Sequence, residues 1–253
     1  MIPRLPASFL ERPLAHRALH NVTDGRPENS RAAVRAAMAG HFGIEIDLQL
    51  SSDDQAMVFH DYDLTRLAEA TGPIRQRSAR ELANIPLRGG DEGIPTLAEI
   101  CSIVDGQVAL LIELKDQDGA MGSNIGALET ATAHVLRSYR GPVAVMSFNP
   151  NSTKLMAELL PDVPRGIVTC AYTAEEWPLS AAVRNRLRDI PDYDAVQASF
   201  ISHDRRDLDR ARVAELKTAG ADVLCWTVRS VTEEVEARKV AQNVTFENYL
   251  PAD

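Results

Sequence analysis

The chain has 253 residues, a length that suits one large domain and that a single α/β barrel commonly reaches. Apolar residues make up 45% and aromatics only 5%, an aliphatic mix that favours layered β/α packing over a β-sandwich. Lys+Arg number 27 against Asp+Glu 36, and the formal charge of −9 argues against bulk nucleic acid or an anionic membrane as a partner.

The opening Met1-Ile2-Pro3-Arg4-Leu5-Pro6 has no apolar core of secretory length, and no stretch approaches the ~18 apolar residues of a transmembrane helix. The expectation is a cytoplasmic protein without stable membrane insertion, one domain over 1–253. Cys101, Cys170 and Cys225 are odd in number and widely spaced, and they read as reduced core residues.

The predicted elements alternate along the chain. Residues 14–16 form a short apolar run ending in His16-Arg17. Asn29 or Ser30 caps a helix over 31–39, which Gly40 stops. Strands over 43–48 and 56–60 follow, and the second ends in His60-Asp61. Residues 61–93 then break the rhythm. They are polar, carry Gly72-Pro73 and Gly89-Gly90, hold one short helical run at 79–84, and read as an insertion over a barrel mouth. Thr96, with Glu99 three residues later, is a capping box for a helix to about Val104. Beyond it the spacing predicts strands over 108–115, 143–148, 166–169, 195–200 and 223–228. Helices are expected over 123–138, 151–160, 182–188, 207–219 and 231–241. An extended piece over 243–246 comes last. Eight of these nine runs match an α/β fold of the (β/α)8 TIM-barrel type, with a small insertion after the third strand. Which run lies outside the ring stays open.

Position carries the functional signal. Four runs in the first half end in ionisable residues: His16-Arg17, Glu45-Ile46-Asp47, His60-Asp61 and Glu113-Leu114-Lys115. Charge is costly in an apolar run unless it is paired or bound to a metal, and strand C-termini converge on the catalytic face of a barrel. Glu45 and Asp47 are two apart and share one side of a strand, as do Glu113 and Lys115. Three carboxylates with few histidines make a hard oxygen site for one divalent cation, Mg2+ or Ca2+, with Mn2+ as a third choice. The competing structural reading is a set of strand-end salt bridges among Glu45, Asp47, Lys115 and Arg17. His16 and His60 close two different strands and can divide acid and base roles. Arg17 suits a phosphate oxygen, Lys115 a phosphate oxygen or local charge balance. Glu28 reads as a metal ligand or a favourable helix N-terminal charge. Trp226 is either core or pocket wall, and Ser147-Phe148-Asn149 lies at another strand end. His20, His41, His134 and His203 read as solvated or locally bonded. No nucleophile elbow, Gly-rich nucleotide loop or Walker lysine loop occurs in the sequence.

Taken in order, these residues resemble the glycerophosphodiester phosphodiesterase family. The likeness runs through Ala15-His16-Arg17, Pro27-Glu28-Asn29-Ser30, Gly43-Ile44-Glu45-Ile46-Asp47, Val58-Phe59-His60-Asp61 and Leu64-Thr65-Arg66. It continues through 94–99, Ile112-Glu113-Leu114-Lys115, Ser147-Phe148 and Trp226-Thr227-Val228. The resemblance implies His16 and His60 as the catalytic pair and Glu45, Asp47 and Glu113 as metal ligands. It places Arg17 and Lys115 at the phosphate. The implied reaction splits a small glycerophosphodiester into sn-glycerol 3-phosphate and an alcohol such as choline or ethanolamine. A lysophospholipase D-like enzyme and a non-catalytic phosphodiester-binding protein are the alternatives, and an oligomer is compatible with either. Two departures stand out. The family's glycine after His-Arg is Ala18 here, and its closing Thr-Asp-x-Pro is replaced by Thr245-Phe246-Glu247-Asn248-Tyr249-Leu250-Pro251.

Overall fold

The computed structural model describes residues 2–252. Eight parallel strands close on themselves: β1 (Leu14–Ala15), β2 (Gly43–Leu50), β4 (Leu110–Leu114), β5 (Val143–Ser147), β6 (Arg165–Thr169), β7 (Phe200–Asp204), β8 (Asp222–Val228) and β9 (Asn243–Phe246). Closure comes at β1, where Leu14 faces Gly43 of β2 on one side and Thr245 of β9 on the other. The run outside the ring is β3 (Ala56–Val58), which pairs antiparallel with β2, Leu48 opposite Val58. The fold is a (β/α)8 barrel with a β-hairpin and an insertion between its second and third barrel strands.

Register separates the barrel's two surfaces. Glu45 aligns with Leu111 and Asp47 with Glu113, so these positions share the inner face. The neighbouring inner positions are Ala144 and Met146, then Gly166 and Val168, then Phe200 and Ser202. Lower in the barrel this face is apolar: Leu14, Leu111, Ala144, Phe200 and Leu224 pack with Leu5 and Phe9, the latter on α1 (Ser8–Glu11). Gly166 leaves room for the Phe200 ring there, where a side chain would collide with it. Outward positions such as Ile44, Ile46, Ile112 and Val145 pack under the helices, so strands buried on both faces read as continuous apolar runs.

Those helices are α2 (Arg31–Ala39), α4 (Leu97–Val104), α5 (Ala127–Leu136), α6 (Pro150–Leu159), α7 (Ala181–Arg188), α8 (Ala211–Thr218) and α9 (Val231–Ala237). Ser30 caps α2, and Thr96 with Glu99 forms the full capping box of α4. No described helix is long and apolar enough to cross a membrane. All three cysteines are free and buried.

The sixth barrel strand, β7, differs from its expected position. It begins at Phe200, not residue 195, because 192–198 form a turn in which Val196 bonds back to Asp192 and Gln197 to Asp194. Val196 and Ala198 are buried against the outer core in that turn, which mimics a strand's apolar content without its geometry. The shift brings His203 into the sheet, where it is fully buried and bonded to Thr169 and Asp207, the locally bonded of its two readings. Residues 61–93 hold two 3-10 turns, Leu64–Arg66 and Ile74–Gln76, and the short α3 (Ala79–Leu82). Leu64, Ala68, Ile74, Leu82 and Leu87 pack with Met57 and Phe59 into a small core of their own.

Candidate active site

One cavity of about 480 Å³ opens at the C-terminal ends of the barrel strands. Its wall includes His16, Arg17, Glu45, His60, Glu113, Lys115, Phe148 and Trp226, so eight of the nine site residues expected from the sequence meet there. Asp47 lies just behind the wall, 1% exposed, within the same carboxylate cluster.

Backbone geometry sets the near side. Arg17 and Ala18 both adopt left-handed conformations, φ 54° and 64°, at the end of β1. The turn aims the Arg17 N–H at the Glu45 carboxylate, 2.9 Å away, and the Ala18 N–H at the Glu45 carbonyl, also 2.9 Å. Asn29, likewise left-handed, donates from Nδ2 to Asp47 Oδ2 at 2.9 Å. The Arg17 guanidinium reaches Glu28 at 2.7 Å and Asp47 at 3.5 Å. Glu28 also pairs with Arg66, and it stands outside the carboxylate cluster.

Glu45, Asp47 and Glu113 each bring one oxygen within 4.8 Å of the others. Lys115 sits between two of them, its Nζ 2.7 Å from Asp47 Oδ1 and 2.7 Å from Glu113 Oε1. Burial works to raise Asp47, but Lys115, His60, Arg17 and His16 together outweigh it and hold the carboxyl far below its ordinary range. Lys115 is in turn held above its usual value, since Asp47 and Glu113 overcome the effect of its burial. Glu45 goes the other way. Burial, then the negative charges of Asp47 and Glu113, push its carboxyl well above the usual range. The cluster is therefore short of positive charge, and a hard divalent cation fits a donor set of three buried carboxylates.

Both pocket histidines are tied at Nδ1 to a carboxylate that is itself held by arginine. His60 Nδ1 lies 2.6 Å from Asp61, whose oxygens take two 2.7 Å bonds from Arg66. Gln49 donates to the His60 carbonyl at 3.0 Å and fixes its backbone. His16 Nδ1 lies 2.6 Å from Glu247 Oε2, and Arg229 binds the other oxygen at 2.7 Å. Burial lowers the His16 pKa from its ordinary value, with Glu247 opposing. In each ring these contacts engage Nδ1 and leave Nε2 as the second nitrogen.

The far side is apolar. Phe148 packs on Trp177 at 4.7 Å and on Trp226 at 5.6 Å between ring centres, with Met121, Met146 and Val168 beside them. Trp226 therefore lines the pocket; its indole N–H donates to the Ser202 carbonyl at 3.0 Å.

Comparison with known proteins identifies this arrangement. The family model described as "Glycerophosphoryl diester phosphodiesterase family" matches residues 16–245. The chain belongs to that family. It is 25% identical to the Bacillus subtilis (strain 168) protein YhdW over 86% of each chain. It is 26% identical to a glycerophosphodiester phosphodiesterase of Caldanaerobacter subterraneus, over 61% of this chain and 66% of that one. A phosphodiesterase of Oleispira antarctica, solved with the product sn-glycerol-3-phosphate, superimposes with a TM-score of 0.77 at 25% identity, covering 96% of this chain and 94% of that one. The protein is thus a glycerophosphodiester phosphodiesterase, a hydrolase on a TIM barrel.

Sequence reasoning missed several residues in the pocket wall or directly behind it. Glu247 follows the ninth strand directly, which is the strand-end carboxylate signal already used for the first half of the chain. Asp61 was visible only as His60's neighbour. Trp177 and Met121 lie in loops with no periodicity to announce them, and Met121 has a left-handed backbone, φ 58°.

Proposed function

We propose that the enzyme cleaves glycerophosphodiesters of small alcohols, such as glycerophosphocholine or glycerophosphoethanolamine, into sn-glycerol 3-phosphate and the free alcohol. The observation that carries this reading is the convergence of two carboxylate-backed imidazoles, an arginine and a buried carboxylate trio on one cavity. Glu45, Asp47 and Glu113 hold one divalent cation, Mg2+ or Ca2+, with Mn2+ also suited to oxygen donors. When bound, that ion polarises non-bridging phosphoryl oxygens and offsets their growing charge. Arg17 and Lys115 hold those oxygens from the protein side.

His16 is the base. Its lowered pKa keeps the imidazole neutral near pH 7, and Nε2 removes a proton from the attacking water or from the substrate's own glycerol hydroxyl. His60 protonates the departing alcohol oxygen from the opposite side. Phe148, Trp177 and Trp226 receive an apolar or quaternary-ammonium flank of the diester, since aromatic faces attract both. Among the lining residues Tyr62 is the large exposed hydrophobic one, 56% exposed. One ring is a narrow rim for an acyl chain, which favours small headgroups over lysophospholipids.

The deciding assay follows glycerol 3-phosphate release from several headgroups and from a lysophospholipid, with Mg2+, Ca2+ or Mn2+ supplied. His16→Ala and His60→Ala are each expected to lose at least about 10²-fold in turnover with the fold intact. Wild-type rates in either variant refute its assignment. Full activity in EDTA removes the metal role, and faster turnover of the lysophospholipid reverses the choice of substrate.

A further inference from the structure

The substituted C-terminal segment supplies the partner of the base. We infer that Glu247 is the positioning residue of His16, fixing its tautomer and aim; the inference rests on the role of His16 proposed above.

Glu247 stands at the first position after β9, with its side chain 12% exposed. Both carboxylate oxygens are engaged. Oε2 lies 2.6 Å from His16 Nδ1 and Oε1 accepts from Arg229 Nε at 2.7 Å. A second imidazole, His20, brings Nε2 to 3.7 Å from Oε2, an ion-pair distance beyond a hydrogen bond. A carboxylate can only accept, so the His16 contact puts the proton on Nδ1 and leaves the Nε2 lone pair for the cavity. The negative charge also stabilises the imidazolium that forms once Nε2 has taken a proton.

The backbone beneath Glu247 is held without its side chain. The Glu247 N–H bonds to the Val228 carbonyl at 2.9 Å, and the His16 N–H to the Phe246 carbonyl at 2.9 Å. Phe246 is buried and packs edge-on against Phe42 and Tyr249. Removing the carboxylate therefore frees the imidazole while β1 and β9 stay paired. Glu247 lies in the segment that stands in place of the family's usual Thr-Asp-x-Pro ending.

The test is a double-mutant cycle in the holoenzyme. Partners that orient functional groups typically contribute 10–100-fold, so Glu247→Ala is expected to lower kcat by about that factor with KM changed less than about twofold. Glu247→Gln keeps an oxygen acceptor and the same shape, and it recovers part of the loss. In the His16→Ala background Glu247→Ala costs nothing further, because it acts through the missing ring. Imidazole 15N shifts report the Nδ1–H form of His16 in wild type and a mixture in Glu247→Ala. Glu247→Ala at wild-type kcat beside an inactive His16→Ala overturns this inference alone, as does a double mutant slower by the product of the two losses. A His16→Ala enzyme at wild-type rate sinks the base assignment itself, so the two failures are distinguishable.

Discussion

Ala18 shows how opposing residue-scale terms cancel. It occupies a left-handed backbone position that glycine would enter without strain, and the strain for an L-residue is ~1–2 kcal/mol. Glycine, however, adds unfolded-chain freedom of ~0.4–1 kcal/mol. It also removes a methyl that is 1% exposed in the main core, a loss of ~0.8 kcal/mol for one buried carbon. The sums nearly balance. Ala18→Gly is therefore expected to shift Tm by less than about 4 °C in a domain of this size, with kcat within about threefold of wild type. A shift well beyond that, read by calorimetry, means that the Arg17-Ala18 turn is held differently. The replaced family glycine thus carries little by itself, because the Ala18 N–H bond to the Glu45 carbonyl forms with either residue.

At the scale of elements, the loop between β4 and α5 forms a wall of the pocket without any regular structure. Asp116, 4% exposed, accepts from the N–H groups of Asp118, Gly119 and Met121 and from Asn149 Nδ2, all between 2.8 and 3.1 Å. Its carbonyl also takes a 2.7 Å bond from the Tyr62 hydroxyl, tying the insertion to this loop. Leaving buried donors unpaired costs ~1–3 kcal/mol each, though some of these regain water in an opened loop. Asp116→Ala should lower Tm and raise KM about tenfold more than it lowers kcat, because the loop presents Met121 to substrate and not a proton-transfer group. An unchanged KM would show that this wall does not touch the substrate. The same loop marks where sequence legibility ends. Strand runs with helices capped by Ser30 and Thr96 are legible because their periodicity and caps are local. Asp116 is not, since its role depends on backbone donors two to five residues away and on Asn149. The turn at 192–198 failed as a strand for a related reason, its buried Val196 and Ala198 satisfying an apolar pattern with turn geometry.

The whole barrel gathers Glu45, Asp47 and Glu113 from two adjacent strands. Those positions, with His16 and His60, were readable because each lies at or near a strand end. Glu247 carries the same strand-end signal, but its partner was not readable, because only ring closure between β9 and β1 brings these residues, 231 positions apart, to 2.6 Å. The charge balance of this cluster makes metal binding measurable without turnover. Glu45 has a folded-state pKa above its unfolded value, so it favours the folded protein at low pH and loses that contribution as pH rises through the raised value. Asp47 is depressed; its contribution is present above the unfolded pKa of ~3.9 and disappears as pH falls toward the lower folded value. Raising the pH of the metal-free enzyme through the raised Glu45 value thus leaves three carboxylates facing Lys115. A divalent cation must displace the Glu45 proton, so binding tightens as pH rises. At a free cation concentration of 100 Kd the stabilisation is about 2.7 kcal/mol. For a domain of this size that corresponds to a Tm rise of roughly 5–10 °C over the EDTA-treated enzyme. The gain should grow as the pH is raised through the Glu45 transition for the same added cation, and Glu45→Gln should flatten that pH dependence. Equal Tm values with cation and with EDTA across the whole pH range would mean that Lys115 already balances the trio and no ion is held there.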